Sequence, residues 1–389
     1  MSTTNRIVAH PTIPTDHDIL VCVFQRGAAD GLNALVPYGD ADYYTHRPTI
    51  GVPAPGNPNG GIYVTDDYAL NPSLALLKPI YDAGDLALVH ATGVPHQIRS
   101  HFSAQNLIER GVVEKTGPNT GWLGRHLASS PAASSSSFRA ISISGNVPVA
   151  LSGAVDPLAI DNLNDFGFDQ EILDSGYPQV LADLFQSPVP FFGPAGAALT
   201  AMEELQVADL GSISPANGAM YPDTALGNKM RQAGQLIKSI LPVEVICVDS
   251  DGWDHHESLP TYIDLSLTEL AEVLSAFYTD MGVGMSRITV LVYTEFGRRV
   301  AENGSNGTDH GTGSLAYLMG GGVNGGQIIS DWPGLDLPNL ELGEDLRITT
   351  DLRTVISEML NKRLGGTDLG SVFPDFSGSL DVDAFESYV

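Results

Sequence analysis

The run Val248–Leu259, VDSDGWDHHESL, places three aspartates, two histidines and a glutamate around one tryptophan. Carboxylates and neutral imidazoles are the donors that Zn²⁺, Mn²⁺ or Fe²⁺ take from proteins. Two pairings are geometrically open. In an extended loop Asp254 and His256 share a face, being two residues apart; if a helical turn starts here, Asp251 and His255 stack at a spacing of four. The plain alternative is that Asp251 or Asp254 caps the next helix and one histidine is solvated. At least one Asp–His pair is expected to bind metal, the leftover histidine to be ordinary, and Glu257 to begin the following helix.

Three further clusters hold the same residue types. QRGAADGLN carries Arg26, Asp30 and Asn33; HATGVPHQIRSHFSAQN carries His90, His96, Arg99, Ser100 and His101; TEFGRR and the nearby NGSNGTDHGTGS carry Glu295, Arg298, Arg299, Asp309 and His310. The glycines beside Asp309 and His310 let backbone approach an ion closely, so His310 is expected to be a ligand. Alone, the motif reads as a turn with Asp309 in an Asx bond. Glu295 closes the apolar run ITVLVYTE, and is expected to be a metal ligand or general base, against an ion pair with Arg298 or Arg299. Ser100 is by default the N-cap of the helix that follows. That position also lies in the positive field of a helix N-terminus, where phosphate and sulfate bind, and a serine touching a metal there can act as nucleophile. Arg26 and Arg99 suit the oxygens of a tetrahedral anion, and equally suit structural roles. His101 is a secondary candidate ligand.

The elements that must position these clusters alternate. DILVCVFQRG, DLALVHATG, FRAISISG, VEVICVDS and RITVLVYTEFG are short apolar runs that read as buried strands, with SLAYLMGGG and GQIIS as two more. Helical spacing marks NPSLALLKPIYDAG at Leu74, Leu77, Ile80 and Tyr81, then SHFSAQNLIERG, which Gly111 closes. It also marks YPDTALGNKMRQAGQLIKSIL, the run YIDLSLTELAEVLSAFYTDMG with apolar Leu265, Leu267, Leu270, Val273 and Leu274, and TDLRTVISEMLNKRLGG. The stretch at about 150–220 is rich in Pro, Gly, Ser and Ala and is expected to be an insertion or cap with short helices such as YPQVLADLF. Strands alternating with helices predict an α/β fold whose mostly parallel sheet is covered on both faces. Ligands in such sheets collect at the carboxyl ends of strands, where all four clusters fall.

The bulk properties exclude several classes. The chain has 389 residues, 43% hydrophobic and only 17% charged, which supplies a large core. Its formal net charge of −27 argues against nucleic acid or an anionic membrane surface as partner. Cys22 and Cys247 sit in apolar runs and read as packed free thiols. No run approaches membrane-spanning length, and MSTTNRIVAHPTIPTDHD has no apolar leader core, so no membrane insertion is expected.

Several segments resemble one family: QRGAADGLNALVPYGDADYYTHRP, RSHFSAQNLIERG, GWLGRHL, DGWDHH, TEFGRRVAENGSNGTDHGTG and TTDLRTVISEMLNKRLG. Together they resemble the domain-of-unknown-function 1501 family of bacterial, often exported proteins, assigned to the alkaline phosphatase and sulfatase superfamily. The resemblance implies one alkaline phosphatase-like domain over residues 15–376, with tails at 1–14 and 377–389, and export to the periplasm or outside. It implies Asp30 as a metal ligand after the first strand, Ser100 as nucleophile, and Asp254, His256 and His310 as later ligands. The family's DTH is DHH here, which selects Asp254 and His256. Many superfamily members carry Asp-His-Gly where this chain has Glu295-Phe296-Gly297, so a second ion loses a strong donor.

The expected function is a metal-dependent hydrolase of phosphate or sulfate esters, small or on an extracellular polymer. The divalent ion would be Zn, Mn, Ca or Fe, and Ser100, Arg26 and Glu295 the catalytic set. The alternatives are a metal-dependent transferase or redox enzyme on a carbohydrate or peptide, and a non-catalytic metal- or glycan-binding member of the fold.

Overall fold

Strand β1 (Ile19–Gln25) is buried along its whole length, because alternate residues face two different cores. Ile19, Val21 and Val23 point into one; Leu20, Cys22 and Phe24 into the other. That is why a continuous apolar run forms it. The computed structural model describes residues 17–386 apart from 131–135, 155–156, 164, 167–174, 176–179, 181–192 and 366–367.

The remaining strands of the main sheet are β2 (Leu86–Gly93), β3 (Ala140–Ile143), β4 (Leu158–Ala159), β5 (Val245–Ser250), β6 (Ile288–Thr294), β7 (Ser314–Gly320), β8 (Ile328–Ile329) and β9 (Thr350–Asp351). Their order is β8-β2-β7-β6-β1-β5-β3-β4, with β9 also paired to β2. Only β7 runs antiparallel to its neighbours. Gln25 pairs with both Ser250 and Thr294, so β1, β5 and β6 end level. Ser314 at the start of β7 pairs with Thr92 near the end of β2. The loops after β1, β2, β5 and β6 therefore emerge on one edge.

Helices cover both faces. The face of Ile19, Val21 and Val23 packs on α3 (Ala225–Lys238) and α4 (Leu259–Met281), and the opposite face on α1 (His101–Arg110), α2 (Trp122–Ser129) and α5 (Leu352–Arg363). This is a mostly parallel α/β sandwich. Cys22 and Cys247 are neighbours in register, both buried and free. From the 150–220 stretch, β4 extends the sheet and Ala201 and Leu205 join the core; the YPQVLADLF run lies outside the described residues except Val180. No described helix is long and apolar enough to cross a membrane.

Two elements differ from the sequence reading. GQIIS supplies only two strand residues. On α4 the buried residues include Ile263, Leu267, Leu270, Ala271, Val273, Leu274 and Phe277, a helical repeat that leaves Leu265 alone of the expected positions on the outer side, 65% exposed. Leu270→Ala should therefore lower stability by about 2–5 kcal/mol, and Leu265→Ala should stay within about 0.5 kcal/mol of wild type, measured by urea unfolding. Equal losses would refute the assigned face.

Candidate metal centre

Glu295 follows β6 directly and is buried among four groups of donors. Its Oε1 accepts from Gly27 N at 3.0 Å, Gln105 Nε2 at 2.9 Å and His101 Nδ1 at 2.8 Å. Its Oε2 accepts from Ala28 N at 3.2 Å and Thr294 Oγ1 at 2.9 Å. Burial works to raise its pKa, but the bonds from His101, Gln105 and the backbone outweigh it and hold the carboxyl below its usual range. Glu295 thus stands behind His101, and a buried carboxylate there fixes the proton on Nδ1.

Two more histidines are held the same way. His310 Nδ1 donates to the Arg99 carbonyl at 2.7 Å, and His256 Nδ1 faces Asp309 Oδ1 at 3.3 Å. In each neutral ring the lone pair then lies on Nε2, and all three Nε2 atoms turn toward Asp254. His310 and His256 each reach Asp254 Oδ1 at 3.1 Å, and His101 Nε2 lies 3.4 Å from Oδ2. His256 and His310 bring their Nε2 atoms within 2.9 Å of each other. A contact that short takes either a proton carried on one of the two Nε2 atoms or a metal ion between them. His101 Nε2 is buried and makes no hydrogen bond at all.

This donor set fits a divalent ion. His101, Asp254 and His310 offer ligand atoms that all lie within 4.8 Å of one another, with His256 on the Oδ1 side. An acceptor behind each imidazole is the arrangement that orients metal-bound histidines. Asp254 itself is 47% exposed at the side chain. Burial raises its pKa, yet Arg298 and His310 override that and bring it down to about 2, so it is ionised. His101 is shifted up by its bond to Glu295, and His310 down by burial.

The loops are shaped to allow this. Gly27 has φ +122°, and a Cβ there would sit 2.7 Å from Asp254 N. Arg298 is buried and donates to the carbonyls of Ala28 (2.7 Å), Thr308 (3.0 Å), Gly27 and Trp253, as well as to Asp254. It gathers the loops after β1, β5 and β6 at one point.

The other candidates are placed elsewhere. Asp30 is buried with Oδ1 bound to Arg47 Nη1 at 2.8 Å and to Asn33 N at 3.0 Å; it is not brought to the His cluster. Arg26 pairs with Asp249 at 2.8 Å and Glu109 at 3.0 Å, and touches Gln105 at 3.3 Å, so it supports the bond from Gln105 to Glu295. The Arg99 side chain donates to His310 O at 2.6 Å and pairs with buried Asp345. Ser100 is the N-cap of α1, yet its exposed hydroxyl makes no capping bond. Asp251 is exposed. His255 is buried between Trp253 and Tyr262, and burial and Arg298 push it down to about 4. Ser258 precedes α4, so neither aspartate caps it and Glu257 lies in the preceding turn. Gln105 and Arg47 carried no signal of their own in the sequence, although Gln105 lies one turn beyond His101.

The chain belongs to the family described as "Protein of unknown function (DUF1501)", which matches residues 86–361. No sequence relative is found among curated proteins. Among solved structures it is similar to the C-terminal periplasmic domain of EcEptC from Escherichia coli, at 10% identity and TM-score 0.40, over 94% of this chain and 88% of that one. It is also similar to a mutant TAB5 alkaline phosphatase with Mg bound, at 9% identity and TM-score 0.31, over 80% and 93%.

Titration calorimetry with Zn²⁺ or Mn²⁺ should show binding that Asp254→Ala and His310→Ala abolish. Glu295→Gln should weaken it about 10–100-fold, the usual effect of removing an orienting partner; unchanged affinity would deny Glu295 that role. Asp30→Asn should leave metal affinity intact but destabilise the fold by about 3–5 kcal/mol, because it strands the buried Arg47 charge. Loss of metal from a folded Asp30→Asn protein would show that Asp30 is a ligand.

Proposed function

We propose that this protein is a metal-dependent hydrolase of phosphate or sulfate esters, of the alkaline phosphatase and sulfatase type. The observation that carries the reading is the convergence of three Nε2 atoms on the Asp254 carboxylate, one of them from His101, which directly follows a serine at a helix N-terminus. Three imidazoles and one carboxylate suit Zn²⁺, Mn²⁺ or Fe²⁺ better than Ca²⁺, which takes oxygen ligands. Such an ion supplies Lewis-acid stabilisation of charge on a tetrahedral centre. Ser100 is the nucleophile of this reading. Its hydroxyl is exposed and uncommitted, and the free N–H groups of the first turn of α1 favour negative charge there. Glu295 holds the His101 proton on Nδ1, while Arg298 keeps Asp254 ionised. Arg99 anchors His310 from both sides. Export to the periplasm or beyond belongs to the same reading and rests on the family resemblance.

The histidine-rich donor set also favours a second reading, a redox centre, since iron and copper accept it equally. Elemental analysis separates the two. Turnover of aryl phosphates and sulfates with added Zn²⁺ or Mn²⁺ should disappear in Asp254→Ala and fall by at least about a hundredfold in Ser100→Ala. Bound metal with no turnover on either ester class would sink the hydrolase; tightly held iron or copper would put the redox reading in its place.

A further inference from the structure

An open cavity of about 570 Å³ adjoins the cluster on the His256 side. Its walls include Asp254, Glu257, Asp309, Ser305 and Tyr262, with buried His255 beneath, and no lysine or arginine lines it. The side chains of Glu257, Ser305 and Tyr262 have no hydrogen-bond partner among the described residues, and Tyr262 is 50% exposed while its ring lies parallel to His255, 6.3 Å away and inclined by 15°. His255 Nδ1 also lacks a partner. Next to His101, Phe102 lies in the first turn of α1 and is 88% exposed. Packing gives no reason for a phenylalanine at that position, one residue beyond a candidate ligand.

Asp254 pairs with Arg298 and Asp309 with His256, but Glu257 has no cation partner among the described residues, so its charge disfavours a second negative group at that end of the cavity. Carboxylate and hydroxyl acceptors around a flat aromatic ring suit a ligand with many O–H donors and an apolar face, which is a sugar ring. We propose that the cavity is a subsite for an uncharged polyhydroxylated unit, and that Tyr262 and Phe102 flank a neutral glycan segment lying across the open site. This rests on the proposed hydrolase only for what happens at the metal: the glycan would carry the esterified oxygen, and the subsite would hold its alcohol side.

The full-length protein should be retarded in native gels containing xyloglucan, galactomannan or hydroxyethyl cellulose, without dependence on salt, and not in gels containing polygalacturonate or dextran sulfate. Tyr262→Ala and Phe102→Ala should each weaken retardation by up to about tenfold, whereas Leu265→Ala, on the exposed side of the same helix as Tyr262, should not. Metal content and unfolding midpoint of each variant show that the loss is local. No retardation by any neutral polymer overturns the inference, as does equal or stronger retardation by the anionic ones, or unchanged retardation of both aromatic variants. Neutral-glycan binding without ester turnover would keep the subsite and reject the hydrolase. Ester turnover without glycan binding would do the reverse.

Discussion

Glu295 is an ionised carboxylate taken out of water, and the site is built from what replaces that water. Moving such a charge inward costs several kcal/mol unless donors surround it. Here the donors come from the loop after β1, from Thr294 on β6, and from His101 and Gln105 on α1. Three residues on, Arg298 does the same with opposite sign, spending its guanidinium on carbonyls of the loops after β1, β5 and β6. One short loop thus carries both charges into the interior. Each loop that touches them is fixed because it is part of their solvation shell. Moving any one of these loops leaves a buried charge unsatisfied.

That arrangement decides the character of the centre. Around the three imidazoles stand the carboxylates of Glu295, Asp254 and Asp309 against the single guanidinium of Arg298. With neutral histidines the group holds two negative charges in excess, which a divalent cation would balance. The same balance explains why Asp254 is so acidic although its side chain is half-exposed: Arg298 and His310 both contact its Oδ1. Arg99 and Asp345 form a separate pair, which leaves the sum unchanged and clamps His310 from behind.

Much of this was legible from residue patterns. A strand buried on both faces must be apolar throughout, so β1, β5 and β6 could be read directly, and with them the edge where the loops gather. Glu295 stood out because a carboxylate at the end of such a strand needs a partner. The choice between the two Asp–His pairings turned on backbone form. The loop forms no helical turn, and burial alternates through buried Trp253, half-exposed Asp254, buried His255 and half-exposed His256, so Asp254 and His256 share the open side. What sequence could not give was partners distant along the chain. His101 owes its orientation to a carboxylate 194 residues away, and a serine before it already had an explanation as a cap. The family resemblance made Asp30 an expected ligand, and its partner Arg47, 17 residues on, follows no spacing rule that would assign the pair.

Phe296 sets the freedom of the two rings beside it. Its ring is buried, stacked on His101 at 5.1 Å and inclined against His310 at 5.0 Å. It gives an apolar wall that limits the tilt of both rings. Restricting a ring from its face and fixing its Nδ1 from behind leaves it little freedom, which lowers the cost of bringing like lone pairs together. Phe296 therefore adds no donor of its own and tightens control of the donors that converge on Asp254.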